Sequence, residues 1–575
     1  MKIISEKNQS EFITRFHNLA FAEKKKYLKF IYNIGKSGLI NLFKFPGENF
    51  SLWRFSLIAE KSTFKTDSYD RLIFYLLSPE KKPIKKPIRK LIRESAPFQF
   101  FIGFYSLYSF IRKAIYAKVF IKNFKRRQAD LFNNDYTMVS YFPFLDKEKA
   151  KDNIFENKYI APFHRLLEGE RKGKYAHVCF HVDIDGLNFK DSVRLINKFS
   201  KKQSIILLEE FFKFRHIFLI LFYYLYFSFL FIFNINRIKK NILYEYEGKS
   251  YNVWHIFKND FYISFCGNIL TSSLYYIYIF KELTSRLKKN SKVICICEMQ
   301  WWEKALYVYT KKCGLISIGY QHTIVPELLL NYFDYPDEIG DSTGESGKCP
   351  LPDYMATVGD IPAKLFKKYG WHEERVFLWG AQRFESLKDM NKLSIHWKNK
   401  ENYFICAFSI SISEAERVLL LLEKAFKEAI VNYTIYLKSH PAINLQQIIK
   451  KLGLKLNPEV FEFTELPLDR SMQKAKGVIV TESSSCLYAL AYGSPVIVPR
   501  FENRIDCNPL SYISDIPIYA DSAEDLRNIC DWIVNLPESP VIGEQMKKFL
   551  NDYLYFPVSD SEYLDRIDSL IPLEI

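Results

Sequence analysis

The chain has 575 residues, 48% of them hydrophobic and 17% aromatic, with a formal net charge of +16. That length exceeds what one core holds and that composition excludes a disordered chain, so two or more packed domains are expected. The surplus of Lys and Arg lies mainly in the first half and, with no nucleic-acid-binding motif beside it, points to an anionic membrane surface.

The opening MKIISEKNQSEF has no apolar core of signal-peptide length, which argues against secretion. Residues 1 to about 80 mix strand-like and helical patches, including SLWRFSLIAEKS (51–62). From residue 81 to 127 the character changes: KKPIKKPIRKLIR is followed by PFQFFIGFYSLYSFIRKAIYAKVFIKNFKRR, cations interleaved with aromatics. This is the pattern of a segment lying on anionic lipid, the plain alternative being a packed helix with its basic face outward. HVDIDG then places Asp183 and Asp185 near a strand end, where two carboxylates without further ligands make only a weak metal site. Residues 217–233 carry no charge and are flanked by Lys213, Arg215, Arg237, Lys239 and Lys240. That run is about the minimum for a bilayer span. One crossing, however, would put Asp183 and His440 on opposite sides of the membrane, and basic flanks at both ends give no orientation. An in-plane or partly inserted helix is expected. A hairpin with the uncharged run 262–280 would restore sidedness, but Ser264, Gly267, Asn268, Thr271, Ser272 and Ser273 make that run read as a soluble core helix.

From residue 293 the pattern is α/β. VICIC (293–297) and LISIGY (315–320) read as strands around a helix, WWEKALYVYTKKCG, that stops at Gly314. Residues 331–352, with Asp334, Asp337, Glu338 and Asp341, read as a mobile polar loop. DYMATVG and ERVFLWGAQRF give further short strands. A second α/β unit opens near residue 400 with YFICAFS, then a helix over 411–430 for which Ser413 and Glu416 have capping-box spacing. YTIYLKSH, VFEFTE, GVIVTE, PVIVP and IPIYA supply its other strands. The ten cysteines show no CxxC pair or regular spacing, which suits a reducing compartment and argues against a disulfide framework or a zinc site. No G-x-G-x-x-G or Walker lysine motif appears, which argues against a dinucleotide cofactor or ATP.

The densest signal is KGVIVTESSSCLYALAYGSPVIVPR (476–500): strand, Ser-rich turn, helix, Gly stop at Gly493, strand. Ser483, Ser484 and Ser485 at a strand's carboxyl end, feeding a helix N-terminus, suit a phosphate or carboxylate; a plain helix cap would need only one of them. His440 and Pro441 end the YLKSHP strand, with Lys438 adding charge; the bland reading is a strand-end His capping a loop. Glu298, directly after VICIC, is placed for general-base work, or else as an N-cap or ion-pair partner of Lys304. His322, beside Gln321 at the next strand end, is the rival base or an acceptor-binding group. Arg383 in GAQRFE either steadies phosphates or pairs with a surface acid.

The Lys-x-His-Pro strand end followed by Ser-Ser-Ser before ALAYGSPVIV resembles the GT-B glycosyltransferases of bacterial surface polysaccharides, in style nearest to the sialyl-, polysialyl- and Kdo-transferases and the CDP-glycerol polymerases. CEMQWWEKAL (297–306), GYQHTIVPELLLNYF (319–333), WGAQRFE (379–385) and SLWRFSLIAEKS are similar to the bacterial surface carbohydrate biosynthesis proteins. The resemblance implies an α/β GT-B fold: two Rossmann-like domains facing across a cleft, with a membrane-contacting helical insertion in the first. Residues 1–385 would bind the acceptor and carry membrane-associating segments at 81–127 and 213–240; residues 386–575 would bind the donor. The implied reaction is inverting, metal-independent transfer from a nucleotide-activated sugar, a CMP-linked acidic sugar first, to a lipid-linked or polysaccharide acceptor of lipopolysaccharide or capsule. No cofactor is expected, nor any nucleic-acid partner, and the location would be the cytoplasmic face of a bacterial inner membrane. Lys438, His440, Pro441, Ser483, Ser484, Ser485 and Arg383 would hold donor phosphate, Glu298 or His322 would be the base, and Asp183, Asp185 and Gln321 would be secondary. A CDP-glycerol-type transferase and a non-catalytic GT-B-like assembly protein are the alternatives. Polysialyl-type enzymes carry an acidic pair before Gly in their base motif, whereas Glu298 is followed by MQWW.

Overall fold

The computed structural model describes residues 6–79, 92–122, 130–183, 187–339, 348–389, 395–511, 515–540 and 543–573. Two parallel sheets organise it. The first has the order β3-β2-β1-β6-β7-β8-β9. Its strands are β1 (Tyr136–Phe142), β2 (Tyr175–His181), β3 (Ile205–Leu207), β6 (Lys292–Ile296), β7 (Ile316–Tyr320), β8 (Tyr354–Thr357) and β9 (Val376–Leu378). The second has the order β12-β11-β10-β13-β14-β15, from β10 (Glu401–Ala407), β11 (Thr434–Lys438), β12 (Phe461–Phe463), β13 (Ala475–Val480), β14 (Val496–Pro499) and β15 (Ile518–Ala520). The central strands are buried along nearly their whole length, as near-continuous apolar runs with both faces covered should be. In both sheets the first strand lies inside, later strands peeling away to either side. The strand order therefore reverses at β1/β6 and at β10/β13, and the carboxyl ends of those pairs border a crevice.

A helical body covers one face of the first sheet. It comprises α1 (Glu6–Ile34), α2 (Ala96–Phe120), α3 (Phe214–Lys240), α4 (Trp254–Phe265) and α5 (Asn268–Thr284), and its apolar side chains form one core with β1, β2 and α6 (Trp301–Lys312). A short antiparallel hairpin, β4 (Leu243–Tyr246) and β5 (Lys249–Asn252), sits between α3 and α4. Among the described residues α3 is the one single helix long and apolar enough to cross a membrane by length and composition, and α4 with α5, bent by 41° at their break, meets the same measure as a pair. Helix α5, the expected core helix, is buried along most of its length. Of the basic-aromatic stretch 81–127, the parts 81–91 and 123–127 fall outside the described residues.

Two local readings need correction. The second sheet's first helix, α7 (Ile412–Phe426), is capped by Ser411, whose hydroxyl accepts the Glu414 N–H at 3.4 Å, and not by Ser413. The described part of the 331–352 loop is packed rather than mobile. Asp334 pairs with Lys61 at 2.7 Å, and Glu338 with Arg54, all four groups buried. Asp334 and Glu338 are thus partners of the SLWRFSLIAEKS segment, which composition alone does not reveal.

After helix α8 (Ser485–Ala491) and strand β15 the chain returns. Helices α9 (Gly543–Tyr553) and α10 (Ser561–Asp568) pack on the first sheet, where the Tyr555 N–H reaches the Val358 carbonyl at 2.7 Å and the Trp379 indole reaches the Tyr563 carbonyl at 2.9 Å. The expected 385/386 division falls, along the chain, between the end of β9 and the start of β10, while the chain's end belongs by contact to the first sheet.

Candidate functional site

At the first reversal, Glu298 stands two residues past β6. Its carboxylate accepts from the Tyr141 hydroxyl at 2.9 Å and from the Gln300 amide, and its other oxygen lies 3.5 Å from His322 Nε2. Tyr141 belongs to β1, so the contact spans the crevice between the two central strands. The backbone under Glu298 is clamped. Glu303 accepts the N–H groups of Glu298 and Met299 at 2.9 and 3.0 Å, and Asn331 donates to the Glu298 carbonyl at 2.8 Å. Met299 takes φ of 56°, a left-handed conformation that a side chain adopts only where its surroundings over-determine it. Glu298 is thus neither an N-cap nor a partner of Lys304, whose amine donates to the Arg54 carbonyl at 2.8 Å.

His322 is buried, edge-on to the Tyr159 ring at 4.3 Å. Burial, then the nearby Arg383 charge, hold its pKa well below the usual value, so the imidazole is neutral. The Glu298 side chain, 29% exposed, is the carboxylate that solvent and a substrate can reach. Arg383 lies over the rings of Tyr159 and Phe144 at 5.5 and 5.8 Å, and the adjacent Phe384 ring lies 6.0 Å from Tyr488 on α8. The guanidinium therefore sits where the first sheet's crevice meets the serine helix.

At the second reversal, Lys438 and Val480 both lie level with Ala407 on the strand between them. Neighbouring strands are about 4.8 Å apart, so the His440 and Ser483 turns flank the end of β10 along one carboxyl edge. Lys438 donates to the Thr464 carbonyl at 3.3 Å; His440 Nδ1 accepts the Ala442 N–H at 3.1 Å, and Pro441 is exposed. Ser483 and Ser485 bond each other through their hydroxyls at 2.7 Å, Ser485 is buried, and Ser484 is half-buried at the start of α8. The cap alone does not use all three.

Other candidates do not join these groups. Gln321 is buried and fully engaged, its amide donating to the Thr323 carbonyl and its oxygen accepting the Val358 N–H at 3.1 Å, so it braces the strand end. Asp183, 79% exposed, pairs with His181 at 2.8 Å one strand away from the crevice. Asp185 lies outside the described residues, among which no cluster of His, Cys, Asp and Glu could hold a metal.

Sequence reasoning missed the groups that join the two crevices. Lys65, with a side chain 30% exposed, bonds the Gln300 oxygen at 3.0 Å and pairs with Glu60 at 2.7 Å. Glu60 in turn accepts the Trp301 N–H at 3.1 Å. Two residues before Lys65, the Thr63 carbonyl accepts from Arg504 at 2.7 Å. Arg504 grips Glu482 through two bonds of 2.9 and 2.8 Å and reaches Asp70 at 3.1 Å. Residues 60–66 thus lie between the carboxylate at one reversal and the carboxylate at the other. The signal available was Glu482, an acid directly after a VIV strand, which required a buried cation that the sequence did not locate.

No family model and no curated protein matches the chain. Among solved structures it is similar to the UDP-GlcNAc 2-epimerase of Methanocaldococcus jannaschii, at 11% identity over 72% of this chain and 98% of that one, with a TM-score of 0.38. A glycosyltransferase from Rickettsia africae has 13% identity over 76% and 97%, with a TM-score of 0.36. The lipopolysaccharide outer core galactosyltransferase WaaB has 10% identity over 75% and 98%, with a TM-score of 0.36. At this level of superposition, function is read from the chain's own residues.

Proposed function

We propose that the protein is a glycosyltransferase of GT-B type, moving a sugar from a nucleotide donor to a hydroxyl acceptor with inversion. The observation that carries this reading is the clamped, reachable Glu298 carboxylate at one sheet reversal, joined by residues 60–66 to the His440 and Ser483 edge of the other. In the proposed step Glu298 takes the proton of the acceptor hydroxyl while the acceptor oxygen attacks the anomeric carbon. The bond from that carbon to the donor phosphate breaks, and its electron pair leaves with the nucleotide. Lys438, His440, Pro441 and the Ser483–Ser485 turn receive the phosphate, and Arg383 meets it from the first sheet. His322, buried and made a weaker proton acceptor by that burial, positions Glu298 rather than acting as the base. A CMP-linked acidic sugar is the first donor to test, and UDP-sugars the second.

Glu298→Gln keeps size and hydrogen bonding but removes the basic carboxylate, so transfer should fall on the order of a hundred- to ten-thousandfold with nucleotide affinity unchanged. Calorimetric titration with CMP, CDP, UDP and GDP, run on this variant and on His440→Ala, measures both halves. The expected result is nucleotide binding lost in His440→Ala and kept in Glu298→Gln. Transfer at wild-type rate in Glu298→Gln, with His322→Ala inactive, would make the imidazole the base. Binding of no nucleotide by the wild-type chain would favour the non-catalytic assembly role.

A further inference from the structure

Two long helices leave an aromatic face uncovered. Helix α2 turns Gly103, Leu107, Ala114 and Ala117 inward, and α3 turns Ile220, Tyr224, Phe227 and Phe231 inward. The helices meet where the Tyr224 ring lies against Gly103, its hydroxyl 2.8 Å from the Phe100 carbonyl and 2.6 Å from that of Cys266. Outward point Phe101, Tyr105 and Tyr108 on α2 and Phe218, Phe222 and Phe233 on α3, each at least 60% exposed. Soluble monomers rarely expose contiguous apolar patches larger than a few hundred Å², and such patches mark protein or membrane contacts.

Charge identifies the occupant. Neither α2 between residues 95 and 111 nor α3 between residues 216 and 236 carries a charged side chain. Arg93 stands just before α2, Arg112, Lys113 and Lys118 occupy its last third, and Arg215, Arg237, Lys239 and Lys240 bracket the strip on α3. Among the described residues the acids beside these cations include Glu94, just before α2, Glu282, which pairs with Lys213 and Arg215, and the buried Glu209 beside Lys113. An uncharged aromatic strip with cationic ends fits anionic headgroups around an acyl boundary. Pairing the face with a second copy would instead set basic rims against basic rims on a chain of net charge +16.

We propose that this face docks on the surface of an anionic lipid bilayer, with α2 and α3 lying in the interface plane. Helix α3 does not cross, because its inner side is packed from end to end. His216 stacks on Tyr278 at 5.4 Å, Phe231 lies 5.5 Å from Phe265, and Ile238 is buried near its end. The same platform backs the Glu298 crevice through a run of rings, Phe110 to Tyr276 at 6.3 Å, Tyr276 to Trp302 at 6.3 Å, and Trp302 to Tyr141 at 5.9 Å. The inference stands apart from the sugar-transfer reading, since it rests on no residue of the candidate site.

The test is sedimentation of the full chain with vesicles of phosphatidylcholine alone and of phosphatidylcholine mixed equally with phosphatidylglycerol. Binding should favour the anionic vesicles and weaken as salt is raised. The combined variant Phe101→Ser, Tyr105→Ser, Phe218→Ser, Phe222→Ser should bind at least ~100-fold more weakly at an unchanged melting temperature. Should that variant misfold, Phe222→Trp supplies a second readout: lipids brominated on the acyl chain should quench its fluorescence beyond any quenching of the parent chain. Equal binding to both vesicles, or no added quenching in Phe222→Trp, overturns the proposal. So does a lipid-free dimer that the Ser variant dissolves, which would assign the face to a second copy. Retention in vesicles after alkaline carbonate would assign α3 to a span and overturn the in-plane placement.

Discussion

Glu414 sits beneath the second sheet's reversal, accepting from the Ser409 hydroxyl at 2.8 Å and facing the Glu482 N–H at 3.4 Å. Burial, and then the charge of Glu482, push it up to about 8. A carboxyl raised in the folded state holds its proton where the unfolded chain has released it. Its contribution to stability is therefore complete below the unfolded value and is lost as pH rises through the folded one. Glu414→Gln carries no proton to lose. Its melting temperature relative to wild type should climb as pH is raised from about 5 to about 9, a difference that cancels the other titrating groups. A difference that stays flat across that range would mean Glu414 is ionised throughout. At this scale the sequence was half legible. Glu298, His440 and the serines were visible because each follows an apolar strand run. Tyr141, Lys65 and Arg504 were not, because each sits within 4 Å of a partner that is between 157 and 434 residues away in the chain.

Elements were easier to read than their edges. Strands β6, β7, β10, β11, β13 and β14 fall on the apolar runs that announce them, and Gly493 ends α8 with φ of 75°, as a helix-stopping glycine should. The cap of α7 was misplaced by two residues, since Ser411 and Ser413 offer the same chemistry and only backbone geometry chooses. Helices α9 and α10 show what local patterns omit altogether, because their destination on the first sheet depends on contacts made after the chain has left and returned. That docking is tight at Gly359, where a Cβ would press on the backbone carbonyl of Tyr553. A backbone atom cannot move aside as a side chain does. Gly359→Ala should destabilise the fold by ~3 kcal/mol, in the upper range for overpacking, and Gly453→Ala, where a Cβ meets nothing, is the comparison for a merely strained glycine. Chemical denaturation of both variants checks this, and equal losses would show that the α9 contact is loose.

At the scale of the molecule the question is whether two sheets make one cooperative unit. Three ties say they do. Helix α1 reaches the second sheet through Ser10, 3.3 Å from Asp521; α9 and α10 cross back to the first; and Arg504 joins Glu482 to Asp70 and Thr63 in a buried cluster. The last tie is the one a single substitution can cut. Burial raises Asp70 to about 6 even with Arg504 lowering it, so loss of the guanidinium leaves two acids in an interior that rejects their charge. Removing one partner of a buried ion pair costs roughly 3–5 kcal/mol, whereas replacing the whole cluster by neutral groups of like shape is often near neutral. Arg504→Met should therefore destabilise strongly, and adding Glu482→Gln and Asp70→Asn should recover most of the loss. Hydrogen exchange locates the effect: in Arg504→Met, protection should fall together in β10, β13 and residues 57–77. Loss confined to the second sheet would mean the units open independently, and the crevices at β1/β6 and β10/β13 would then be free to move apart without breaking either sheet.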